Sequence, residues 1–223
     1  MPEQPLTQKV SVRFRKEGPA RFHSHHDMIR FWERAVRRAD LPVRLTEGFN
    51  PRPRLVFPHA LGVGVASAVE EVEIELVRAV PPSAIRERLA AAAAPTLAVD
   101  AVTVLPPVRA GRRLIRSQYR FTGWPDTPDT VSRLKHAAAE ALSAKTLPME
   151  RGPADKRVTV DIRPFIEALV VESGDGGASV LASVRHEASG AARPDEIGGW
   201  FAERLGLDRR EWDCRKVAAD LER

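Results

Sequence analysis

The hydrophobic period of this chain switches from two to 3.6 and back, twice over, within residues 10–105. That ordering constrains the fold most tightly, because each switch marks a strand giving way to a helix or the reverse. Val10, Val12 and Phe14 alternate with Ser11, Arg13 and Arg15, as in a half-buried strand, and Gly18-Pro19 breaks the pattern. In the following SHHDMIRFWERAVRRADLP, the residues Met28, Trp32, Ala35, Val36 and Ala39 recur at helical spacing. Ser24 followed by Asp27 has the spacing of a capping box at the helix start, and Pro42 stops the helix. Residues 55–57 suit a short strand, and the small residues 60–67 read as a loop. Val72, Ile74 and Leu76 then alternate with Glu71, Glu73 and Glu75, predicting a strand with one acidic face. Pro81-Pro82 opens a second helix, with Ser83 a candidate cap; it ends at Pro95, before a strand over 99–105.

Strand, helix, strand, strand, helix, strand is the split βαβ order of a ferredoxin-like lobe, with helices on one face of an antiparallel sheet. The second half offers strands at 114–122, 158–162, 166–172 and 178–186, helices at 130–144 and 195–205, and a tail that can add a last strand. Ser173-Gly174-Asp175-Gly176-Gly177 between two apolar runs predicts a hairpin turn. The expected fold is α+β: two ferredoxin-like (βαββαβ) lobes over 8–106 and 114–223, joined by a linker at 107–113 and preceded by a disordered 1–7. The order of elements suggests duplication, and no residue-level repeat accompanies it.

With 223 residues and 43% hydrophobic content, the chain can bury a core without staples. Cys214 is the only cysteine, which excludes a disulfide framework, a four-cysteine zinc site and a cluster held by three cysteines of this chain. The first ten residues lack the apolar core of a signal peptide, and no run reaches the ~18 apolar residues of a bilayer span. A cytoplasmic location with no membrane contact is expected. The formal charge of +5 permits nucleic-acid binding without requiring it. The excess of arginine over lysine fits either a GC-rich genome or recognition of phosphate and carboxylate groups by guanidinium forks.

The run FRKEGPARFHSHHDMIRFWERAVRRADLPVRLTEGFNPRPRLVF carries a helix start Ser24-His25-His26-Asp27 with Arg30 after it. It also carries the loop Glu47-Gly48-Phe49-Asn50-Pro51-Arg52-Pro53-Arg54. Leu61-Gly62-Val63-Gly64-Val65, Glu71-Val72-Glu73 and, more weakly, 160–166 continue the pattern. Together these resemble the radical-SAM-linked family, the DUF2344 family of uncharacterised function. The resemblance implies a radical SAM protein as partner, fused or separate, and implies no activity of its own. His26 stands where the family pattern has an apolar residue, so it is either exposed or a satisfied buried imidazole.

Four groups of residues could carry chemistry. His23, His25, His26 and Asp27 offer metal-ligating atoms, but adjacent positions at a helix start do not face one another. Capping alone accounts for Ser24 and Asp27, so no metal and no cofactor is expected. In the loop from Glu47 to Arg54, Asn50 both donates and accepts, and Arg52 and Arg54 in an extended stretch would point to one side, suiting a phosphate or carboxylate. Arg30, Arg34, Arg37 and Arg38 form a basic stripe that, beside that loop, would make a groove for a nucleic-acid backbone; a solvated helix face is the plainer account. Glu71, Glu73 and Glu75 either face water or meet a cation or a basic partner. Three functions follow: an accessory module presenting RNA or an RNA-linked substrate to a radical SAM enzyme, an RNA-processing enzyme with His23 or His25 as general acid or base, or a structural partner of a complex. Cys214 is expected to be buried and inert.

Overall fold

The computed structural model describes residues 7–106, 111–174, 176–208 and 211–222. The chain divides into two compact units, Met1–Arg113 with Leu221–Arg223, and Leu114–Asp220. Both are mixed α+β, with antiparallel strand pairing and, among the described residues, two α-helices each.

In the first unit the elements run β1 (Gln8–Lys16), α1 (His25–Arg38), β2 (Leu55–Val56), β3 (Val65–Leu76), α2 (Pro82–Ala92) and β4 (Val99–Leu105). The strands lie in the order β4-β1-β3, with β2 also paired to β3, and these three pairs are antiparallel. Val10 lies opposite Ile74 and Val12 opposite Val72, so these side chains share one face. Met28, Trp32, Ala35 and Val36 of α1 and Ile85 and Leu89 of α2 cover that face in one apolar core. Phe14 and Trp32 meet with ring centroids 4.8 Å apart. Burial of each large side chain is worth roughly 1.5–3 kcal/mol, which is why the helices sit here and nowhere else. Asp40 takes a left-handed backbone (φ 47°) just past α1, and Leu41 N–H donates to Val36 O, closing the helix C-terminus.

The second unit runs β5 (Arg113–Trp124), α3 (Pro128–Ser143), β6 (Pro148–Arg151), β7 (Val158–Asp161), β8 (Ile166–Glu172), β9 (Ala178–Arg185), α4 (Pro194–Leu205) and β10 (Asp213–Glu222). Its main sheet has the order β10-β5-β9-β8, and β6-β7 form a separate hairpin. Tyr119, Phe121, Val180, Ala182 and Val184 are buried with Leu134 and Ala138 of α3 and Ile197 and Phe201 of α4. Arg163 donates to Leu142 O and to Ile166 O, fixing the chain where it leaves the hairpin.

Several sequence expectations change. Thr7, expected in a disordered terminus, donates from its N–H to Leu76 O at 2.9 Å and from its hydroxyl to Val77 O; residues 1–6 lie outside the described residues. The stretch 60–67 is not all loop, because β3 already begins at Val65. Of the expected linker, 107–110 lie outside the described residues, but Arg112 is no spacer: it bonds to Ser11, Glu71 and Glu73. Asp175 of the expected hairpin turn is also outside the described residues, while Gly177 N–H donates to Gly174 O.

Candidate functional site

The first turn of α1 is held by its own sequence. The N–H of Asp27 donates to Ser24 Oγ at 3.2 Å, and the N–H and hydroxyl of Ser24 donate to Asp27 Oδ2 at 3.0 and 2.7 Å. Those bonds, the hydroxyl first, hold the Asp27 carboxyl below its ordinary range. Ser24 and Asp27 are therefore occupied in capping. The neighbouring histidines diverge. His26 is exposed, His25 turns its ring edge-on to Phe57 at 5.4 Å, and the carbonyl of His23 accepts from Lys16 Nζ at 3.0 Å. His23 Nδ1 is buried without a hydrogen-bond partner. Among the described residues no group of three or more His, Cys, Asp or Glu could hold a metal ion.

Beside this turn lies a hollow of about 10 Å³, room for about one water molecule. Its polar lining is Lys16, His25, His59 and Glu70, and its apolar lining Phe14, Met28, Phe57 and Leu61. Lys16 and Glu70 are almost completely buried. Glu70 lies opposite Phe14, which puts its carboxylate on the helix-covered face of the sheet. A cation, a carboxylate and two imidazoles at the rim of an apolar core can donate and accept hydrogen bonds to a small polar group, or exchange a proton with it. Only His25 of this set stood among the sequence candidates; Lys16, His59 and Glu70 did not.

The loop of Glu47 to Arg54 is braced at its base. Leu45 and Pro53 form a bridge, Thr46 N–H donates to Arg52 O at 2.8 Å, and Arg52 N–H donates to Thr46 Oγ1 at 3.0 Å. Gly48 supplies the positive φ of 116° that the turn requires. Glu47, Phe49, Asn50, Pro51 and Arg52 are all exposed. Arg52 Nη1 reaches Glu33 of α1 at 3.7 Å. Val56, two residues beyond Arg54, lies opposite Glu73. The Thr46–Arg52 and Arg54–Arg44 backbone hydrogen bonds flank the Leu45–Pro53 bridge in the ordinary antiparallel pattern.

On α1, Arg30, Arg34 and Arg37 are exposed and none makes an ion pair among the described residues. At 3.6 residues per turn they share one stripe roughly 10 Å long. Arg38 leaves that stripe and donates to Ala92 O at 2.8 Å, satisfying a carbonyl at the end of α2. Glu33 flanks the stripe and ties it to Arg52. The structure thus joins the loop to the middle of α1, while the helix start meets the segment from Phe57 onward.

The acidic row does not face water. Glu73 and Glu75 are 1% and 4% exposed. Lys9 Nζ lies 2.7 Å from Glu73 Oε2, Arg112 Nε 2.8 Å from Glu73 Oε1 with its Nη2 on Glu71, and Arg44 Nη1 2.9 Å from Glu75 Oε2. Burial pushes the Glu73 pKa up, but the hydrogen bonds from Lys9 and Arg112 outweigh it and the net shift is downward. The cations that the row meets belong to the same unit, so little of it remains for a partner.

In the second unit, Ser117 Oγ and His186 Nε2 are 2.7 Å apart. Burial, with Lys216 nearby, lowers the His186 pKa to about 4. Cys214 is buried, and burial pushes its thiol far above the ordinary range, so it is no nucleophile at neutral pH. Among the described residues no helix is long and apolar enough to cross a membrane.

The profile of an uncharacterised protein conserved in bacteria, DUF2344, matches residues 9–194. No curated protein matches the chain. Among solved structures, a chain from the "Crystal Structure of a Cbf5-Nop10-Gar1 Complex" superposes with a TM-score of 0.46 at 11% identity. That comparison covers 94% of this chain and 48% of the other, so the present chain spans about half its length.

Proposed function

We propose that this chain, which belongs to the DUF2344 family of uncharacterised bacterial proteins, is a binding protein that holds RNA or an RNA-linked substrate for a radical SAM partner. The observation that carries the RNA half is the stripe of Arg30, Arg34 and Arg37: exposed, in register on one helix, and without ion pairs among the described residues. Guanidinium groups so placed suit successive phosphates, and the release of counterions supplies the affinity. The partner half rests on the resemblance of 14–57 to radical-SAM-linked sequences, and on a chain whose single cysteine cannot hold an iron–sulfur cluster. The strand orders β4-β1-β3-β2 and β10-β5-β9-β8 support a ferredoxin-like reading of each unit, with the β6-β7 hairpin inserted in the second.

The test is RNA affinity as a function of salt. Each phosphate contact on a single strand contributes about −0.7 to the slope of log K against log salt. Replacing Arg30, Arg34 and Arg37 together by Gln should flatten that slope by about 2. An unchanged slope would remove the stripe from consideration. Co-purification of a radical SAM protein with the tagged full chain tests the partner, and its repeated absence counts against that half alone.

A second account has its own support. The hollow lined by His25, His59 and Glu70 has the residue types of a general acid–base site, as an RNA-processing enzyme would need. It requires that His25→Ala lower RNA cleavage by ~10²–10⁴. Absence of cleavage by the pure protein would eliminate it.

A further inference from the structure

Phe49 is the most exposed large apolar side chain among the described residues, at 105% of its extended-chain reference. A ring left wholly in water forgoes the roughly 20–33 cal/mol per Å² that burial would return, and the loop does nothing to hide it. That loop is well braced. The Leu45–Pro53 bridge and the paired Thr46–Arg52 hydrogen bonds close its base, Pro51 and Pro53 restrict its backbone, and Gly48 makes its turn. The ring is therefore presented without a further loss of chain entropy on binding.

Arg52 ties the loop to α1. Three residues of chain, at most about 10 Å, separate Phe49 from Arg52, and the guanidinium of Arg52 reaches Glu33 in the middle of α1. Arg30 and Arg37 stand one turn to either side of Glu33, and Arg34 is adjacent to it. The loop that carries the exposed ring is thus tied to α1 next to the stripe of Arg30, Arg34 and Arg37, whose cations lack ion pairs among the described residues. Phe22, the other strongly exposed phenylalanine, already carries the Arg21 guanidinium over its ring at 4.9 Å.

We infer that Phe49 is a base-stacking residue and that the surface it shares with Arg30, Arg34 and Arg37 takes single-stranded rather than duplex nucleic acid. A cationic track with an aromatic platform is what single strands need: phosphates follow the charges and an unstacked base lies on the ring. A duplex keeps its bases stacked and offers nothing to a protruding phenylalanine. The inference deepens the RNA-binding proposal and rests on it. The charge on the neighbouring helix favours a nucleic acid over a protein pocket, since an apolar pocket would have to bury its surroundings next to arginines that make no ion pair among the described residues.

The experiment measures binding of the full chain to a fluorescein-labelled oligouridylate of about 15 nucleotides and to its duplex with oligoadenylate. Wild type is compared with Phe49→Ala, Phe49→Trp and Arg34→Gln. Stacking on one base predicts that Phe49→Ala weakens the single strand by roughly 5–150-fold, leaves the duplex and the salt slope unchanged, and that Phe49→Trp restores affinity. If Phe49→Ala binds as wild type while Arg34→Gln is weakened, stacking is overturned and the stripe survives. If the duplex binds as tightly as the single strand, the inference is overturned. If wild type binds neither RNA, the inference and the proposal beneath it both fall. Unchanged RNA binding in Phe49→Ala, together with loss of a cross-link to a co-purified protein, would reassign the ring to a protein partner.

Discussion

Replacing Glu73 by Gln removes the charge at the centre of the buried ion cluster. In the wild type its carboxylate is fully buried, with Lys9 Nζ at 2.7 Å and Arg112 Nε at 2.8 Å. Breaking a buried pair from one side costs ~3–5 kcal/mol, because the remaining charge keeps its desolvation penalty. Arg112 retains Glu71 and glutamine still accepts a hydrogen bond, which places the loss near the lower limit, about 3 kcal/mol. Urea denaturation gives the change in midpoint, and hydrogen exchange of the β1 and β3 amides reports whether the first unit is the one destabilised. The double substitution Lys9→Met with Glu73→Leu replaces the pair by apolar groups of similar size and should return to within about 1 kcal/mol of wild type, or exceed it. The Glu73 pKa is depressed in the folded protein, so its stabilisation is complete above the ordinary carboxylate range. It is lost as pH falls through the folded value. Glu73→Gln should therefore also flatten the acid limb of the stability curve. If Glu73→Gln costs under about 1 kcal/mol, or the double variant loses the sum of the two single losses, burial of that pair is not what the stability depends on.

Ser24→Ala should cost about 1 kcal/mol by removing the cap of α1, read as a lower urea midpoint with no change in m. His186 has a folded pKa of about 4 against an ordinary 6.5. Its contribution is therefore complete above 6.5 and is lost as pH falls from there to about 4. His186→Gln should flatten the pH dependence in that window by of the order of 1–2 kcal/mol, allowing for the solvent access of a half-buried ring. An unaltered profile between those limits would show that the imidazole is not buried as described.

Helix α1 was fully legible, because its cap, its apolar stripe and its stop all lie within twenty contiguous positions and depend on no distant partner. The strand ending at Leu76 was legible as a strand but not as a doubly buried one. Alternation with glutamate ordinarily means a solvated face, and the cations that cover it come from Lys9, Arg44 and Arg112, far away in sequence. The hollow could have been found. Continuing the inward alternation of Val10, Val12 and Phe14 by one step lands on Lys16, and stepping back from Val72 lands on Glu70. Two charges at core-facing positions were a signal of a buried polar site. His59 gave no such sign, and the exposure of Phe49 depends on how the loop leaves α1.

The β6-β7 hairpin stands outside the four-strand order of its unit, and its turn lies beyond Arg151, which is anchored to Glu196 at 2.6 Å. Length added between Gly152 and Lys156 would extend the hairpin outward without shifting the register of β5, β8 or β9. That turn is therefore a natural graft point for an affinity tag or a fluorophore, leaving both ends of the chain untouched for fusion to other modules.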